Sequence, residues 1–426
     1  MGSVEFIIKG GRIINPSTGV ACVGDVGLKG GKIAEIDFNC SLSLNNPSDV
    51  FDASGCIVTP GLIDLHVHAY EHATPLGINV DAHCLTRGVT TVVDAGSAGA
   101  ATFAGLRKFI AEVSKTRVLA FLHIANHGLA SAGCAGLVPG GEIDSLVQAD
   151  VEQCVKCIGD NRDMIVGVKL RLARAISNDG ANEEEAYRRA REAAGKCGVP
   201  LMVHHAFSTV PVNSTEGRSS CPGSLKSGDI YTHCLHGNNG TMELQTRTFL
   251  PEVVDAKKRG ILFDTGHGRG SFNWNFAESA AKLKDWPDTI STDLHTESLP
   301  SPAYDLVTVM TKMLHVGMPL YDVIAAVTST PARAIGWEKV IGSLEVGREA
   351  DITVMRLEDW DVKLEDCHNQ LRTIEKKLVP VAVWRSGVKH PIVEHIKCPN
   401  PEVAATLAGI WHDQVMRDET MPPNSV

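Results

Sequence analysis

The chain has 426 residues, 43% hydrophobic and 21% charged, with a formal net charge of -10 at pH 7. That is an ordinary globular composition, and the length suits a large barrel with an accessory module better than one small domain. The acidic balance argues against a nucleic-acid partner, no apolar run has the length of a membrane span, and the first residues lack a basic stretch followed by an apolar core, so a cytoplasmic protein acting on a small molecule is expected. The 12 cysteines then read as reduced thiols, Cys154 and Cys157 among them as ordinary helix cysteines.

Residues 1–58 read as short strands. Segments 26–29 and 32–36 flank Gly30-Gly31, a two-residue hairpin signal, in a unit too small to bury a good core alone. From 59 onward apolar strands alternate with loops and amphipathic helices. Strands are predicted at 62–67, 90–94, 117–123, 165–169, 201–205, 230–233, 261–265 and 289–293. Helices are predicted at 101–114, 145–158, 183–197, 303–315 and 320–335. Eight strand-helix units in a row predict an α/β fold, a (β/α)8 TIM barrel. Near Gly342 the pattern reverts, with strands at 350–355 and 379–384. The expected organisation is a small β-sandwich domain built from both chain ends (1–58 and 342–396), a hydrolase barrel (59–341), and a C-terminal helix and tail (397–426).

The chemistry begins at Pro60-Gly61-Leu62-Ile63-Asp64-Leu65-His66-Val67-His68. His66 and His68 lie two apart on a strand, so their imidazoles share a face and can grip one divalent cation. Lys169, His204, His233 and Asp293 stand at the ends of later strands, where barrel enzymes place their sites. Each alone has a bland reading, as a core histidine or a helix cap; together they point to one site. Lys169 needs an explanation, because an ammonium repels metals. A buried lysine among cations can be neutral, and a neutral amine adds carbon dioxide to give a carbamate, an anionic ligand with two oxygens. The site then divides. His66, His68 and Asp293 hold a first ion, His204 and His233 a second, and carboxylated Lys169 and a hydroxide bridge the two divalent metal ions, read as zinc.

Several segments carry a family likeness. They are the His66 segment above, Gly88-Val89-Thr90-Thr91-Val92-Val93-Asp94-Ala95-Gly96-Ser97, Leu201-Met202-Val203-His204, Thr232-His233-Cys234, Phe263-Asp264-Thr265-Gly266-His267-Gly268, Ser291-Thr292-Asp293-Leu294-His295 and the closing Gly347-x-x-Ala350-Asp351. With them the chain resembles the amidohydrolase superfamily, and within it the dihydroorotase-like amidohydrolase/deacetylase family, from about residue 5 to 390. The match at Gly167-Val168-Lys169 implies the bridging carboxylated lysine. His123 and His205 stand where uncharged residues are expected, His236 where an Asn is usual, and the 209–228 loop looks longer. These departures bear on the substrate rather than on the metals, and strand alternation turns His205 away from His204.

The resemblance implies metal-assisted hydrolysis of an amide, ester or carbamoyl bond. Asp293 binds metal and carries the proton from attacking hydroxide to leaving group. His267, in a Gly-flanked loop, is a candidate for substrate binding or oxyanion stabilisation. Arg171 and Arg174 could meet an anionic substrate group, and Tyr70, Glu71 and His295 are further substrate-side candidates. The alternatives are a cyclic amidase of dihydroorotase or hydantoinase type and a non-catalytic scaffold relative, which would typically have lost ligands. A homo-oligomer is left open.

Overall fold

The structure is a computed structural model that describes residues 4–130, 140–213, 217–238 and 240–393. The expected C-terminal helix and tail lie outside the described residues. At the N-terminus β1 (Phe6–Asn15) pairs with β2 (Val20–Lys29), which turns through Gly30 and Gly31 into β3 (Lys32–Asp37). Both glycines have positive φ, 55° and 75°, the backbone that a tight two-residue hairpin demands. Short strands β4 (Val50–Asp52) and β5 (Ile57–Pro60) run parallel to β1.

Seven further strands follow: β6 (Leu62–Val67), β7 (Val89–Gly99), β8 (Arg117–His123), β9 (Ile165–Leu172), β10 (Leu201–His205), β11 (Ile230–Thr232) and β12 (Leu262–Asp264). They are parallel and lie in sequential order in one sheet. The predicted eighth strand is not a regular strand. Segment 289–294 instead makes isolated parallel bridges, Thr289 with Asp264 of β12 and Leu294 with Val67 of β6, so it links the two edges of the sheet. Asp293 within it has φ 47°, which no extended strand tolerates, and that is why the ladder breaks there.

The helices are α1 (Val80–His83), α2 (Phe103–Leu106), α3 (Val151–Asp160), α4 (Glu183–Cys197), α5 (Pro251–Lys258), α6 (Trp274–Leu283), α7 (Leu306–His315), α8 (Leu320–Ala326) and α9 (Ser329–Ala334). The helix expected over 101–114 is α2 followed by a π-helical turn at 107–111, and that expected over 320–335 is the pair α8 and α9. None of the described helices is long and apolar enough to cross a membrane. Cys154 and Cys157 are free thiols on α3.

The C-terminal strands are β13 (Ile352–Glu365), β14 (Leu371–Arg385) and β15 (Val388–His390). They join the N-terminal strands in one eight-stranded sheet of order β15-β14-β13-β5-β1-β2-β3, with β4 on β1. Ile8, Ile13, Val26, Val58, Ile352, Val354 and Trp384 form its core. The β13–β14 hairpin runs far beyond the predicted 350–355 and 379–384. Its outer half carries exposed charges such as Arg356, Asp359 and Lys376, so no apolar run announces it.

A separate apolar cluster takes Leu65, Val93, Leu119, Phe121, Val166, Met202 and Ile230 from successive strands of the parallel sheet. His66, Lys169, His204 and His233 each follow just C-terminal to their own strand's member of that cluster. Packing of the apolar residues therefore fixes the level at which the polar ones emerge.

Candidate active site

His66, His233 and Asp293 each offer a ligand atom, and these atoms lie within 4.8 Å of one another. Asp293 Oδ1 is 3.3 Å from His66 Nε2 and 3.1 Å from His68 Nε2. Lys169 Nζ is 3.3 Å from the same His66 nitrogen. The rings of His204 and His233 have centroids 4.4 Å apart, and those of His66 and His233 are 5.2 Å apart. All six residues predicted as ligands therefore converge on one place.

Their neighbours fix how they face it. Thr232 Oγ1 donates to Asp264 Oδ2 at 2.7 Å, so it can only accept from His66 Nδ1 at 3.0 Å. The proton on Nδ1 leaves the Nε2 lone pair for the site. His233 Nδ1 donates to the Gly266 carbonyl at 2.7 Å, with the same result. Asp264 is buried and also accepts from Ser291 Oγ and Thr289 Oγ1, both at 2.7 Å, so it braces β11, β12 and the 289–294 segment together. Burial holds the imidazoles of His66 and His204 well below their usual range and that of His233 at about 4, with Lys169 adding to each effect. Neutral imidazoles of fixed tautomer are what a divalent ion requires.

Lys169 is almost fully buried, and that burial pushes its amine down to about 7. It lies against Gly96 (φ 85°), where a Cβ would come 2.6 Å from Lys169 Cγ. Gly268 likewise admits the Asp293 carboxylate, since a Cβ there would meet Oδ2 at 2.4 Å. Burial raises the Asp293 carboxyl, but His66, His68 and His295 outweigh it and hold the group well below the usual carboxylate range. The donor set is buried, largely neutral and convergent around one carboxylate, and it fits divalent metal ions.

The ligands open onto a cavity of about 400 Å³. Arg171 and His295 line it, as do Arg269, Glu297, His236, Cys367 and His368. Glu297 N–H donates to His295 Nδ1 at 3.3 Å, which leaves the ring proton on Nε2. His267 and Tyr70 are not brought to this cavity. Lys312 Nζ lies 2.9 Å from His267 Nε2, while Nδ1 donates to the Gly268 carbonyl at 2.9 Å. Tyr70 donates its hydroxyl to the Thr102 carbonyl at 3.1 Å. Arg174 pairs with Asp179 and Glu71 accepts from Asn79, both away from the lining. His205 uses both ring nitrogens, on the Tyr231 hydroxyl and the Val210 carbonyl, as its outward strand position foretells.

Cys367 and His368 come from the tip of the β13–β14 hairpin, a contribution the sequence reading missed. Asp366 fastens that tip, accepting from Trp274 N–H at 3.0 Å and from the N–H groups of His368 and Gln370. The local signal was Asp366-Cys367-His368-Asn369, a polar turn between two strands.

Residues 275–389 match the amidohydrolase family. The chain is 35% identical to a deacetylase of Brucella anthropi over 340 residues, 79% of this chain and 81% of that protein. It is 34% identical to a deacetylase of Agrobacterium fabrum over 366 residues, 85% and 84% of the two chains. Among solved structures, a dihydroorotase superposes with a TM-score of 0.80 at 30% identity, over 92% of this chain and 98% of that one. An adenine deaminase gives a TM-score of 0.81 at 27% identity, over 91% and 100%. The chain belongs to the amidohydrolase family, in agreement with the motifs quoted above.

Proposed function

We propose that this chain is a metal-dependent hydrolase that cleaves an amide bond of a small molecule in the manner of a deacetylase, with ester or carbamoyl bonds open to the same site. The observation that carries the reading is the convergence of His66, His233 and Asp293 beside buried Lys169, at the floor of a cavity of ligand size. The resemblance to two deacetylases supports it.

In this reading His66, His68 and Asp293 hold one divalent ion, His204 and His233 a second, and Lys169, carboxylated, serves both. When bound, zinc ions supply Lewis acidity, lowering the pKa of water and polarising a carbonyl. The chain's own residues do the rest. Asp293 takes the proton of the attacking water on a carboxylate oxygen and hands it to the leaving nitrogen. Thr232 and Gly266 hold the imidazole tautomers. His295 offers its Nε2 proton to the substrate, and Arg171 faces it from the opposite strand ends. His267 keeps the 266–271 backbone in place beside Asp293.

The parallel sheet with segment 289–294 is read as a complete (β/α)8 barrel (59–341). The eight-stranded sheet curling over its own core is read as the β-sandwich unit (1–58 and 342–396). A cytoplasmic location and a homo-oligomer belong to the same proposal. The likeness to a dihydroorotase favours a second reading, hydrolysis of a cyclic amide. Retention of all six ligands speaks against a scaffold that has given up catalysis.

The test is a screen of zinc-loaded protein against N-acyl amino acids, acyl esters, cyclic amides and carbamoyl esters. Zinc-dependent release of acid from an N-acyl compound is the expected result. Turnover confined to cyclic amides favours the second reading, and no turnover of any class by metal-replete protein rejects both.

A further inference from the structure

Helix α2 and the π-helical turn at 107–111 send one face into the core and leave the other bare. Phe103 and Leu106 are buried in that core, and Ile110 packs against it. Phe109 and Val113 lie one helical turn apart and point the other way, 74% and 69% exposed. An aromatic ring and a branched aliphatic side by side in water form an apolar face that no described residue covers.

The last described residues lie beside this face. Val393 N–H donates to the Thr86 carbonyl at 3.1 Å, and the Arg87 guanidinium donates to the Val393 carbonyl. In the same segment Asp81 accepts from the N–H groups of Lys115 and Thr116, at 2.9 and 2.8 Å, so the residues just after Val113 abut α1. Burial lowers the His390 imidazole, Lys115 lowers it further and Asp81 opposes both, which puts the end of β15 in the same neighbourhood.

Beyond Val393 the sequence carries the pattern of a docking helix. Asn400 followed by Pro401 is a helix start, a capping side chain and then a residue whose φ is already set. From there Val403, Leu407, Ile410, Trp411 and Val415 recur at helical spacing, with Glu402, Gly409, His412 and Asp413 on the other side. A helix of that length is marginal alone in water and needs a surface for its stripe. The linker from Val393 to Val403 reaches roughly 35 Å when extended, several helix diameters. Lys108 and Lys115 are exposed beside the apolar pair, and Asp413, Asp418 and Glu419 give the segment acidic flanks. Tethering raises the local concentration of the segment far above that of free protein, so it outcompetes a second copy for the same face.

We infer that segment 402–415 folds as a helix that lays its apolar stripe on Phe109 and Val113, so that the chain latches its own α2. This stands whatever bond the metal site cleaves.

Hydrogen–deuterium exchange on the full chain, read by mass spectrometry, tests it. Amides of 403–415 should exchange about tenfold or more slowly in wild type than in Phe109→Ser/Val113→Ser, as expected of a local structure held by one contact face. Protection should be equal in dilute and concentrated protein. Leu407→Ser/Trp411→Ser should remove it too and speed exchange of 107–114, while the parallel strands exchange as before. If Phe109→Ser/Val113→Ser does not fold, this second variant decides, and unchanged exchange of 107–114 in it overturns the latch. Fast exchange of 403–415 in wild type overturns it as well, as does protection that survives Phe109→Ser/Val113→Ser. Protection that rises with protein concentration also overturns it, because a second copy then covers the face.

Discussion

Lys312 Nζ lies 2.9 Å from His267 Nε2, and both side chains are fully buried. The same ammonium donates to the carbonyls of Pro302 and Glu365, at 2.9 and 2.6 Å, and sits over the rings of Phe272 and Trp274. His267, stacked 4.6 Å from Phe272, thus has both nitrogens spent on structure. Those contacts suit it to positioning the loop beside Asp293, and we propose that it moves no proton. His267→Gln should lower kcat by less than about tenfold and leave the shape of the pH–rate profile intact, well short of the factor of about 10²–10⁴ typical of a lost acid-base group. Lys312→Met should destabilise the fold by about 2–4 kcal/mol, read from denaturant unfolding, because buried carbonyls lose a charged donor.

Metal content follows from six convergent ligands. Purified protein grown with zinc should hold about two ions per chain by elemental analysis, as a two-metal site requires. Prolonged chelation should abolish turnover and zinc should restore it. Full activity in metal-free protein rejects the metal site.

Lys169 is set up to lose its proton near neutrality. Lys169→Ala should lose turnover and much of the metal, and a short carboxylic acid in excess should restore part of both. The amine is pushed down to about 7, so reconstitution of metal-free protein with zinc and bicarbonate should slow by roughly tenfold per pH unit below that value, as the neutral fraction falls. The stability of the metal-free protein should move with pH in a defined sense. The unfolded lysine keeps its proton up to its ordinary pKa while the folded one has lost it, so unfolding free energy rises from about pH 7 upward. A flat reconstitution rate between pH 6 and 8, the window about one unit either side of that value, speaks against the carbamate.

Asp293→Asn should keep the fold and part of the metal and lower kcat by about 10²–10⁴ on an amide. On a matched activated ester the loss should be smaller, because an ester oxygen leaves without needing a proton delivered to it. Equal losses on the two substrates would leave Asp293 a ligand only, and His295, with its proton on Nε2 in the same cavity, becomes the carrier to test.

Gly96 tests the cradle around Lys169. Its φ of 85° and the 2.6 Å approach of Lys169 Cγ leave no room for a methyl group. Gly96→Ala should lower thermal stability and zinc content together, whereas Gly198→Ala, with open space at its Cβ, should lower stability alone.

Much of this was legible because the strands of the parallel sheet are short apolar runs with a polar residue at or just past the end. The strands ending at Val67, His123 and His205 fall on the predicted bounds for that reason. Segment 289–294 was harder, since its polar residues serve the site and Asp293 leaves the extended conformation. The outer half of the β13–β14 hairpin was invisible because pairing, not apolar burial, makes it a strand. The glycines around His267 were legible, but only the fold brings Lys312 from α7 onto its ring.

The β13–β14 tip has a consequence for how the protein is made. The ligand-bearing segments, from His66 to Asp293, leave the ribosome before the turn that carries Cys367 and His368 and secures α6 through Asp366. A nascent chain stalled before residue 366 therefore has its metal-binding side chains synthesised while one wall of the cavity is still missing. Zinc capture and substrate selectivity should then be acquired at different moments of synthesis, with selectivity the later of the two.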